Sequence, residues 1–123
     1  MKKITLAIFM AVMFPSTSFA DWSKVGGNDI GDTFYIDFER IKKQNGYVYF
    51  WDLTDFLHPQ GGALSVQDYK QADCKSFKFI RLHRLAHTEP MAKGSPTPYT
   101  PPSKWEHPRL KSVAGALLEI VCK

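Results

Sequence analysis

The chain lacks an apolar run long enough to cross a membrane, blocks of like charge, and all but two cysteines. Its longest apolar stretch, Ile4–Phe14, is relieved only by Thr5 and covers eleven residues, where the hydrocarbon of a bilayer needs roughly 20. That length excludes a helical membrane span. The charges are interspersed, so neither a nucleic-acid tract nor an anionic-membrane patch is indicated. There is no phosphate loop, no nucleophile elbow around Ser65 or Ser95, and no cysteine or histidine at ligand spacing from Cys74 or Cys122. The reading is therefore of a protein with no metal, no cofactor and no catalytic constellation, hence not an enzyme.

What is present begins with an export signal. Lys2 and Lys3 give a positive start, Ile4–Phe14 an apolar core, and Ser18-Phe19-Ala20 the small-x-small exit that signal peptidase reads. Cleavage between Ala20 and Asp21 is expected, so residues 1–20 are a leader and residues 21–123 a single exported domain. No cysteine lies in or just after the leader, so no lipid anchor is expected. The expected location is periplasmic or secreted. Loss of Lys2 and Lys3 leaves 14 basic against 12 acidic side chains, a nearly balanced surface.

In an oxidising compartment Cys74 and Cys122 have one intramolecular pairing open to them. Closing so long a loop contributes roughly 4 kcal/mol on the chain-entropy account. That is a large share of the 5–15 kcal/mol or so that stabilises a small domain.

Periodicity gives the elements. Trp22–Val25, Thr33–Ile36 and Ile41–Lys43 are short strand candidates, and Gln44-Asn45-Gly46 is a hairpin turn. Tyr47–Phe56 carries large apolar side chains on both faces, which predicts a central strand covered on both sides. Asp52 and Asp55 interrupt it and are expected in solvent near the strand end. Pro59, Gly61 and Gly62 form the next turn. Ala63–Cys74 fits both a helix capped by Ser65 and Asp68 and a half-buried strand; we read a strand. Phe77–Ala86 is a further strand. His83 and His87 would share one face of a helix, but in extended chain they stand about 13 Å apart, too far to share an ion, and are expected as isolated surface residues.

Residues 88–108 hold six prolines, so any strand there is short or at an edge. Ser112–Cys122 repeats apolar residues at helical spacing behind a capping serine. The fold expected is α+β: an antiparallel sheet of about six strands, with a C-terminal helix packed on one face and tied to it by the disulfide. In the proline-rich segment Tyr99, Lys104 and Trp105 are the candidate binding residues. They offer aromatic area and charge on backbone whose φ is already fixed. Trp105 is also read as packed under its own loop.

The order of Trp22, Tyr35-Ile36-Asp37, Trp51, Leu53, Asp55-Phe56, Ser65, Asp73-Cys74, Met91, Gly94, Trp105, Pro108, Leu118 and Cys122 resembles the surface-adhesin protein E family of Gram-negative exported proteins. The resemblance implies the same sheet-plus-helix fold and a role in adhesion to host or extracellular components through a protein partner. It transfers no ligand-binding residue. The alternative reading is a periplasmic inhibitor of an enzyme such as lysozyme, with Lys93-Gly94-Ser95 as the inserted loop.

Overall fold

Seven antiparallel strands and one helix make up the computed structural model, which describes residues 20–123. The expected leader otherwise lies outside the described residues. The strands are β1 (Ser23–Gly27), β2 (Thr33–Ile36), β3 (Lys42–Gln44), β4 (Tyr47–Gln60), β5 (Ala63–Asp73), β6 (Lys78–His87) and β7 (Pro96–Tyr99). A 3₁₀ turn, Phe38–Arg40, follows β2, and helix α1 is Val113–Val121. The sheet order is β1-β2-β4-β5-β6-β7. Strands β2 and β3 share one edge of β4, pairing with Asp52–Asp55 and Tyr47–Tyr49 respectively.

The β3–β4 hairpin turns on Asn45 and Gly46, with φ of 53° and 83°. Both turn positions need the left-handed region, which glycine adopts freely and asparagine tolerates. Ala63–Asp73 is a strand in register with β4, as read. Pro59, expected in the turn, instead belongs to β4. It sits where the β4–β5 register slips between Asp55 and Gln60, so its missing N–H costs no ladder bond.

One face of the sheet carries the core. Ile36, Val48, Phe50, Ala72 and Phe79 pack against Leu117, Leu118 and Val121 of α1. Burying each of the larger side chains contributes roughly 1.5–3 kcal/mol. Ser112 caps α1 by accepting from the Gly115 amide at 3.1 Å. Cys74, just past β5, is bonded to Cys122 at the helix end, across a sequence separation of 48.

Two expectations about polar side chains are corrected. Asp52 is buried, not solvated, because the diagonal cross-strand neighbour Lys70 supplies a cation at 2.6 Å. His87 is also buried, since Gln67 and the segment after β6 enclose it. His83 is exposed, as expected.

Candidate functional site

Alternation along β4 sends Tyr47, Tyr49, Trp51 and Leu53 to the face opposite α1. The sequence predicts cover on that side too, yet only Leu53 of the four is fully buried; the three aromatic side chains are half-buried. Register brings Trp51 beside Tyr69 of β5, and Tyr69 beside His83 of β6. Ring centroids are 5.0 Å apart for Trp51–Tyr69, 6.2 Å for Tyr49–Tyr69 and 6.1 Å for Tyr69–His83. The result is a continuous aromatic strip across three central strands. Such contacts add about 0.5–1.5 kcal/mol each beyond area burial.

Arg40 closes one end of the strip. Its guanidinium carbon lies 5.6 Å from the Trp22 ring and 5.1 Å from the Trp51 ring, a cation–π arrangement on both. It is aimed by Asp37, whose Oδ2 accepts from Arg40 Nε at 2.6 Å. Asp37 also caps the 3₁₀ turn by accepting from Glu39 N, and accepts from Asp21 N at 3.2 Å.

The segment after β6 forms the opposite wall. Met91 N donates to Asp55 Oδ1 at 2.8 Å, and Ala92 N to Ser65 Oγ at 2.9 Å, while the same hydroxyl donates to Glu89 O. These bonds hold Met91 and Ala92 at φ of 58° and 60°, a conformation that costs a residue with a Cβ about 1–2 kcal/mol. Strain kept in place by specific hydrogen bonds is a common mark of a functional wall. Gln67 donates to His87 Nε2 at 2.9 Å, leaving Nδ1 to face Gly94 O at 3.5 Å. Between the walls runs an open groove of about 750 Å³, floored by Trp51, Gln67 and Leu85.

The candidate residues of the proline-rich segment are not brought together. Trp105 lies on the aromatic face, stacked on Tyr47 at 6.1 Å with Lys78 Nζ 5.0 Å from its ring. Tyr99 pairs with Arg84 on the helix side, where Pro101, Pro102, Val66 and Ala86 form a separate groove of about 490 Å³. Lys104 is exposed. Lys93 and Gly94 of the alternative inhibitor loop line the aromatic groove.

Beside the second groove lies a charge network. Arg84 grips Asp68 through two 2.8 Å bonds, which hold its guanidinium more firmly protonated than usual. Arg81 bridges Asp68 and Glu106. Burial pushes the Asp52 carboxyl above its ordinary pKa, and Lys70 pulls it back. No group of three or more metal-ligating side chains occurs among the described residues. No helix there is long and apolar enough to cross a membrane.

The aromatic strip was legible in part. The Tyr47-x-Tyr49-x-Trp51 alternation is plain in the sequence, but its joining to Tyr69, Arg40 and Trp22 depends on strand register and has no sequence signal.

What these elements define is a class: a single antiparallel sheet, braced on one face by a disulfide-tethered helix and presenting an aromatic groove on the other. The model of the surface-adhesin protein E family matches residues 22–123, and the chain belongs to that family. No curated protein matches it. Among solved structures, protein E of Haemophilus influenzae is similar with a TM-score of 0.59 at 19% identity, over 82% of this chain and 83% of that one. Protein E from non-typeable Haemophilus influenzae gives 0.53 at 16% identity over 85% of each chain. At these identities the likeness shows a shared fold.

Proposed function

We propose that this protein is a non-enzymatic, exported adhesion module that holds a protein partner on the aromatic face of its sheet. Family membership supports the adhesion-type role, and host or extracellular matrix components are the partner class it points to. The observation that carries the site is the Trp51–Tyr69 pair flanked by Arg40, half-exposed on rigid central strands. Large aromatic side chains and arginine are the groups that dominate binding energy at protein interfaces, and strands hold them without an ordering cost at the moment of contact. Trp105 and Lys78 extend the same face. Export by the leader, with cleavage after Ala20, places the module in the periplasm or beyond.

The test is capture from matrix extract and from periplasm by tagged exported protein. Each captured partner is then titrated against Trp51→Ala, Tyr69→Ala, Tyr99→Ala and Lys104→Ala, with circular dichroism confirming the fold. The first two variants should weaken binding by more than about tenfold, the level expected of interface anchors. Loss confined to Tyr99→Ala and Lys104→Ala would put the contact on the proline-rich segment instead.

A further inference from the structure

Asp37 is 1% exposed, and its carboxylate stands just past the end of β2, beside the groove-lining Arg40. Its partners are the backbone amides of Asp21 and Glu39 and the guanidinium of Arg40, a side chain 41% exposed and shared with two indole rings. The Asp21 amide is the first nitrogen after the expected cleavage point. We propose that leader removal converts it into an ammonium that locks onto buried Asp37, and that this ion pair fixes Trp22 as a wall of the aromatic groove. The inference rests on cleavage after Ala20, part of the reading given above.

Hydrolysis by the leader peptidase adds water across the Ala20–Asp21 bond. Ala20 leaves with a new carboxylate, and the freed Asp21 amine takes up a proton, its ordinary pKa being about 7.7–8.0. An internal amide offers Asp37 one N–H and no net charge. The ammonium offers three donors and a full positive charge, and charge-assisted bonds are roughly twice as strong as neutral ones. The required position already exists, since Asp21 N stands 3.2 Å from Asp37 Oδ2. Trp22 is the next residue, with its ring against Arg40, so anchoring the nitrogen anchors the indole. Ala20 itself lines the groove, and its departure removes that part of the lining. Cleavage thus supplies the charge and clears the site in one step.

The charged groups facing the new terminus are Asp37 and Arg40 from the 3₁₀ turn, the carboxylate of Asp21 itself, and Lys93 across the groove; β4 presents the uncharged Trp51. An amine that gains a carboxylate partner on folding titrates higher in the folded state than in the unfolded. Its stabilisation is therefore complete below about pH 7.7 and is lost as pH rises through the folded value.

The test compares three proteins, each exported by its own leader, purified from the periplasm and checked by intact mass. They are the wild type, a variant with Gly-Ser inserted between Ala20 and Asp21, and Asp37→Asn. Thermal midpoints are recorded from about pH 6 to about pH 10, a range that brackets the amine's titration. The wild-type midpoint should fall several degrees more than that of the insertion variant above about pH 7.7, because only the wild type places its ammonium at Asp37. An insertion variant that follows the wild-type curve throughout would overturn the lock, whether or not Asp37→Asn folds. A wild-type mass that begins elsewhere than Asp21 would overturn the cleavage reading, and the lock with it, before any melting curve is measured.

Discussion

Lys70 Nζ lies 2.6 Å from Asp52 Oδ2, with both side chains buried and the Phe79 ring 4.8 Å from the same ammonium. Charge attraction outweighs hydrogen bonding in the hold of Lys70 on the Asp52 carboxylate. Two charges out of water are tolerated only as partners, and removing one leaves the other uncompensated at a cost of about 3–5 kcal/mol.

Lys70→Met should therefore destabilise strongly at neutral pH, and the loss should depend on pH. Burial raises the Asp52 carboxyl above 3.8, Lys70 lowers it, and Asp68 raises it. Without Lys70 the folded state takes up a proton that the unfolded state does not hold, so stability falls as pH rises above 3.8. Urea denaturation at several pH values checks this; a pH-independent loss would remove Asp52 from the account.

Gly115→Ala should destabilise α1, reversing the usual gain of about 1 kcal/mol for that change in a helix. A Cβ there would stand 2.1 Å from the Arg109 carbonyl oxygen, a backbone atom that cannot swing aside. We expect a loss of about 1–3 kcal/mol, the usual range for overpacking. The exposed neighbour Ala116 replaced by Gly serves as the ordinary propensity control in the same melts.

Cys122→Ser should cost roughly 2–5 kcal/mol. The bond joins the end of β5 to the end of α1, so hydrogen exchange should show the helix amides losing protection before those of β4 and β5. Equal loss in both would mean that helix and sheet unfold as one unit.

The two histidines should respond differently. His83→Ala, at an exposed position, should change stability by no more than about 0.5 kcal/mol. His87→Ala empties a site that is only 4% exposed and breaks the bond from half-buried Gln67, and should cost about 1–3 kcal/mol. Equal effects would show that the segment after β6 is not held by His87.

Much of this protein was determined by sequence alone, wherever the cause lies within a few residues. The Asn45-Gly46 hairpin, the alternation of β4, the Ser112 cap and apolar stripe of α1, and the short edge strand among the prolines all follow from local sterics and side-chain period, whereas Ala63–Asp73 fitted helix and strand alike until its pairing with β4 decided it. The Cys74–Cys122 bond followed from there being two cysteines to pair. Tertiary structure decided whatever depends on register between distant strands. It set Lys70 diagonal to Asp52, which turned an expected solvent carboxylate into a buried one. It drew the segment after β6 over Ser65 and Asp55, which buried His87. It also sent Tyr99 and Trp105, six residues apart, to opposite faces of the sheet. The physical reason is that period-2 alternation says which residues share a face, but not what lies across from them. Only pairing does that, and pairing assembled Trp22, Arg40, Trp51 and Gln67 into one groove from four separate stretches of chain.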